Sequence, residues 1–124
     1  MNYEFLKENA EAFLKNARDL FSKGVYQLVA FNCEQAVQLF LKYILAKKLG
    51  EFPKTHSLKR LFREVENFCP ALKELAEEHI TLVGDLEFAY IASRYYPAEF
   101  THKEVSLMIE FAEKVKDLTN ECLA

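Results

Sequence analysis

Along the first twenty residues, Leu6, Ala10, Phe13, Ala17 and Leu20 recur at alternating steps of four and three. That spacing draws one apolar stripe on a helix from about Tyr3 to Lys23, and Gly24 is the residue type that most easily takes the left-handed turn ending a helix. The next segment, from about Val25 to Leu49, is different. Leu28, Val29, Phe31, Ala36, Val37, Leu39, Phe40, Leu41, Tyr43, Ile44 and Leu45 are apolar on more than one face, which predicts a helix covered on most sides and central to the fold. Gly50 ends it, and Glu51 to His56 reads as a connection.

Leu58, Leu61, Phe62, Val65 and Phe68 then predict a short third helix, with Thr55 or Ser57 as its cap. Pro70 suits the first turn of a fourth helix, whose stripe runs through Leu72, Leu75, Ala76, His79, Leu82, Val83, Leu86 and Tyr90 to about Ser93. Gly84 lies inside that stripe and marks either a weak spot or a close helix contact. Pro97 breaks the pattern, and Thr101-His102-Lys103-Glu104 has the spacing of a capping box. A last helix follows with Val105, Met108, Ile109, Ala112, Val115 and Cys122 on one side. The expected fold is all-α: one domain over residues 1–124, an antiparallel up-and-down bundle of four long helices plus a short crossover helix.

Composition agrees with this reading. Three Gly and three Pro are few for a turn-rich β fold, while eleven Phe and six Tyr supply a core. No apolar run is long enough to cross a membrane, and acids close to Met1 argue against a secretory signal. Cys33, Cys69 and Cys122 form no Cys-x-x-Cys pair, so buried, reduced thiols and a cytoplasmic location are expected, with no metal and no cofactor. His79 sits on an apolar stripe without metal-ligand spacing around it and reads as a core residue.

Charge is unevenly distributed. Between Lys42 and Arg63 seven basic residues face only Glu51, whereas residues 64–124 hold five basic residues against thirteen acids. The basic stretch suits either nucleic acid or the acidic surface of a partner, and a solvated face explains it equally well. Lys54, Thr55 and His56 stand where a helix N-terminus offers free N–H groups to phosphate. Arg94, Tyr95, Tyr96 and His102 combine a phosphate-gripping guanidinium, two rings able to stack on a base, and an imidazole able to shuttle a proton. Asn32, Gln35, Gln38 and Lys42 form a polar strip on the apolar second helix, suited to fixing the register of an interface or lining a shallow groove.

Three of these pieces, taken together, carry a resemblance. Ala30-Phe31-Asn32-Cys33-Glu34-Gln35-Ala36-Val37, continuing to Leu45 with Lys42 inside it, resembles the second-helix signature of HEPN domains. Lys54-Thr55-His56-Ser57-Leu58 is similar to that family's following loop, and Arg94-Tyr95-Tyr96-Pro97 to its Arg-Tyr-Pro segment before the last helix. The resemblance implies a helical, homodimeric protein of the kind encoded beside a minimal nucleotidyltransferase, the pair acting as a toxin–antitoxin module that handles nucleotide or RNA. Some members of the family are metal-independent ribonucleases, using an Arg and a following His with four to six residues between them. Arg94 and His102 are the nearest match, but seven residues including Pro97 separate them. A binding and regulatory module is therefore the first expectation, a ribonuclease using Arg94 and His102 the second, and a plain helical scaffold the third.

Overall fold

The computed structural model describes residues 2–97 and 99–124; Met1 and Ala98 lie outside them. Every regular element among the described residues is helical: α1 (Glu4–Ser22), α2 (Tyr26–Leu49), α3 (Leu58–Val65), α4 (Pro70–Glu78), α5 (Ile80–Tyr95) and α6 (His102–Leu123). None is long and apolar enough to cross a membrane.

Helix α2 organises the rest. Residues from Val29 to Ala46 are buried around its whole circumference, and α1, α3, α5 and α6 all pack on it. Phe40, Leu41, Ile44 and Leu45 are among its fully buried side chains, meeting Leu14 of α1, Leu58 and Leu61 of α3, Leu86 of α5 and Met108 of α6 in one continuous core. Gly24 at φ 74° ends α1 and Gly50 at φ 80° ends α2, the positive values that an L side chain resists. Ser57 caps α3 by accepting from the Arg60 N–H, and Thr55 Oγ1 accepts from the Ser57 N–H just before it. At α6 the capping box is complete: Glu104 N–H donates to Thr101 Oγ1 at 3.1 Å, and Thr101 N–H donates to the Glu104 carboxylate at 2.8 Å.

Two expectations change. The expected fourth helix is two helices, broken at His79, where φ −123° and ψ 37° leave the helical region. The two halves have different work: α4 packs on α3 and α6, while α5 packs chiefly on α2, which one straight rod does not achieve. His79 serves both halves: its N–H donates to Leu75 O at the end of α4, and its carbonyl accepts from the Val83 N–H at the start of α5. Gly84 is not the break, and no neighbouring helix comes within 4 Å of where a side chain would begin. His79 meets Phe111 of α6 edge-on, with centroids 5.8 Å apart.

The second correction concerns the thiols. Cys69, just before α4, is bonded to Cys122 near the end of α6, so only Cys33 remains a free, buried thiol, and burial pushes it up to about 12. Spacing in the sequence conceals this pair because the packing of α6 against α4 is what brings the two together. Reduced thiols therefore no longer support a cytoplasmic location. The bridge joins positions 53 apart, so chain-entropy reasoning gives it about 4 kcal/mol. Reduction with dithiothreitol, or Cys122→Ser, is expected to lower the urea midpoint correspondingly; an unchanged midpoint would mean the bridge does not constrain the unfolded chain.

Candidate functional site

The most buried charge in the molecule lies in the middle of α2. The Glu34 side chain is wholly enclosed; Gln35 Nε2 donates to its Oε1 at 2.7 Å and Gln38 Nε2 to its Oε2 at 2.8 Å. Removal from water raises the Glu34 carboxyl to about 7, against the opposing pull of Gln38, Gln35 and the cation of Lys42, and with a further push from Glu87. Burial lowers Lys42 in turn, and Glu34 partly restores it.

From Glu34 the polar chain runs outward. With its amide nitrogen committed to the carboxylate, Gln38 turns its Oε1 to His56 Nδ1, 3.2 Å away in the connection between α2 and α3. The His56 ring stacks on Tyr90 of α5, with centroids 4.8 Å apart and planes 22° apart. Arg94, one helical turn beyond Tyr90, lays its guanidinium 4.5 Å from the centre of the same ring and donates from Nε and Nη2 to the Tyr90 carbonyl at 3.2 and 3.0 Å. Phe31 of α2 closes the group: its ring is 6.4 Å from Tyr90 and near-parallel to it, and 5.6 Å from Arg94 Cζ. His56 and Arg94 are exposed, whereas Phe31 and Tyr90 are half-buried beneath them. The result is an aromatic plate carrying a fixed cation and an imidazole, with a buried acid behind it.

The residues singled out from the sequence divide accordingly. His56 and Arg94, 38 positions apart, meet at Tyr90. Tyr95 lies beside Arg94 at 5.3 Å and is 70% exposed; Tyr96 is exposed, and its carbonyl accepts from Gln27. Lys54 is exposed and has no ion pair among the described residues. The free N–H groups at the start of α3 already have their anion, since Glu87 of α5 accepts from Ser57 Oγ at 3.2 Å and the Lys59 N–H at 3.4 Å. His102 is held elsewhere, 4.7 Å from Phe21 and 5.8 Å from Tyr26, and no described contact joins it to Arg94. Asn32 turns back to the Leu28 carbonyl of its own helix, and Asn32, Gln38 and Lys42 are covered by the chain itself. The basic stretch is partly neutralised by Glu4, Glu87 and Glu64, which pair with Lys47, Lys59 and Arg60.

Sequence reasoning missed Glu34, Tyr90, Phe31 and Glu87. Glu34 did carry a signal, as the one acid within a helix apolar on all faces. Tyr90 and Phe31 read as ordinary core positions, and only their pairing across α2 and α5 distinguishes them.

The chain is thus a small all-helical domain with an aromatic and basic corner set over a buried polar chain. The HEPN domain model matches residues 3–122, and the chain belongs to that family. Among solved structures, the crystal structure of TT1696 from Thermus thermophilus is similar with a TM-score of 0.83 at 24% identity, covering 98% of this chain and 99% of that one, a likeness of fold. No curated protein matches significantly.

The sign of the Glu34 effect is fixed by its raised value. The folded chain holds the proton more tightly than the unfolded chain, whose ordinary value is 4.5, so stability is greatest below that point, falls as pH rises to about 7, and is flat beyond. The shift corresponds to a difference of order 3 kcal/mol. Glu34→Gln, neutral throughout, is expected to melt well above wild type near pH 8 and to approach it near about pH 5. A gap that does not change with pH would show that the charge is carried without penalty.

Proposed function

We propose that this chain is a HEPN-type binding and regulatory module whose His56–Tyr90–Arg94 corner engages a nucleotide or a stretch of RNA. The observation that carries the reading is the convergence of His56, from the α2–α3 connection, and Arg94, from the end of α5, on one aromatic ring. A phosphate takes the guanidinium hydrogens that the Tyr90 carbonyl leaves free, and a base stacks against the exposed rings beside them. Tyr95 extends the corner beside Arg94, and exposed Lys54, two residues before His56, adds positive charge. The site is an open surface, which suits a strand or a loosely held nucleotide better than a sequestered substrate.

The wider assembly follows from the same reading. The chain acts as a homodimer, its long helices packed up-and-down and antiparallel, and partners a minimal nucleotidyltransferase in a toxin–antitoxin-like pair in the cytoplasm. Phe88, Ile91 and Tyr95 recur at steps of three and four along α5 and are exposed, as is Leu28 of α2, which supports an interface there. The strip from Asn32 to Lys42, largely covered within the chain, serves such an interface less directly. For a ribonuclease built on Arg94 and His102, the separate aromatic settings of the two residues give little support.

A panel of mononucleotides and short RNAs is expected to raise the melting temperature of the wild-type chain, since a ligand of the native state stabilises it. Arg94→Ala is expected to weaken that binding about tenfold, the loss of one charge-assisted contact, and Tyr90→Leu, which removes the ring that His56 and Arg94 share, by about as much. A panel without any shift would leave a scaffold. RNA cleavage in the presence of EDTA that disappears in Arg94→Ala and His102→Ala would replace this reading with the ribonuclease.

A further inference from the structure

The polar chain behind His56 has a direction, and that direction constrains what the imidazole offers a ligand. We infer that Glu34 and Gln38 are positioning residues that lock neutral His56 in its Nδ1–H form, so that Nε2, on a ring that shares Tyr90 with Arg94, is left as a hydrogen-bond acceptor for an anion carrying its own O–H or N–H donor.

The constraint begins at the buried end. An ionised carboxylate only accepts, so both amides around Glu34 must turn their nitrogens to it, as Gln35 and Gln38 do at 2.7 and 2.8 Å. Gln38 is buried, and turning its amide over would set its carbonyl against the carboxylate. Its Oε1 is therefore left facing His56 Nδ1 at 3.2 Å, and an oxygen with only lone pairs requires the hydrogen to be on that nitrogen. Stacking on Tyr90 holds the plane of the ring, so the tautomer and the orientation are fixed by different neighbours. The lone pair of Nε2 is then the free valence of an exposed residue. Arg94 supplies donors only, so the corner as a whole asks for an acceptor group and a donor group in one molecule. A nucleotide meets this with its phosphate and either a sugar hydroxyl or an exocyclic amine; sulfate, which carries no hydrogen, does not.

The choice of nucleotide rests on the binding reading above, but the relay does not, and the two are separable. Nitrogen-15 correlation spectra of the ligand-free protein at about pH 8.5, where Glu34 is ionised, read the tautomer directly. His56 is expected to show a protonated Nδ1 and an unprotonated Nε2. In Glu34→Gln three amides meet, and that of Gln38 can be satisfied either way round, so the pure Nδ1–H signature is expected to give way to a mixture. A wild-type ring protonated on Nε2, or a Glu34→Gln spectrum identical to wild type, overturns the relay.

The ligand arm uses AMP, its 2′,3′-dideoxy analogue, which lacks the sugar hydroxyls, and IMP, which lacks the amine. One of the two analogues is expected to bind wild type about tenfold more weakly than AMP, with the difference collapsing in Glu34→Gln. Whichever analogue falls identifies the donor. Equal binding of all three overturns the assignment of Nε2 as acceptor, and failure of AMP to bind at all, with the tautomer as expected, removes the nucleotide and leaves the relay standing.

Discussion

A helix wrapped on every side cannot send its polar side chains to water, and α2 places Asn32, Glu34, Gln38 and Lys42 under cover. Each therefore has to be answered from within the protein. Asn32 answers itself through the backbone one turn back, and Glu34 is answered by two glutamines of its own helix. Lys42 keeps its ammonium about 6.0 Å from the Phe52 ring, with Glu34 as its opposing charge. Gln38 is the member whose remaining valence points outward, to His56. The need to satisfy one buried acid thus reaches, through a single amide, to a residue on the surface.

The surface end depends equally on α5. Tyr90 is the place where three separate parts of the chain meet: α2 through Phe31, the α2–α3 connection through His56, and α5 itself through Arg94. Glu87, one turn before Tyr90, ties α5 to the start of α3 by accepting from Ser57 and Lys59. That contact anchors the connection bearing His56 and already sets a carboxylate at the α3 N-terminus. The bend at His79 matters here as well, because it frees α5 to lie along α2 while α4 stays with α3 and α6. Without that division of labour, Tyr90 and Phe31 would not face one another.

Family membership and the geometry inform different questions. Belonging to the HEPN family establishes a helical domain over nearly the whole chain. The relation between Arg94 and histidine in this protein is set by packing: the imidazole that shares its ring is His56, while His102, nearer in sequence, is held by Phe21 and Tyr26 near the start of α6.

What the sequence determined by itself was everything that repeats locally. Apolar residues at steps of three and four drew the helices, two glycines closed α1 and α2, and Thr101 with Glu104 opened α6, because each of these depends on neighbours within a turn. Half of the corner, His56 and Arg94, was also legible from residue type. The break at His79 was invisible, since its backbone bends without disturbing the stripe on which His79 lies. The Cys69–Cys122 bridge and the meeting at Tyr90 were invisible for a deeper reason. They join residues many turns apart, and periodicity along a chain records which face a residue takes but not which distant residue it will meet there.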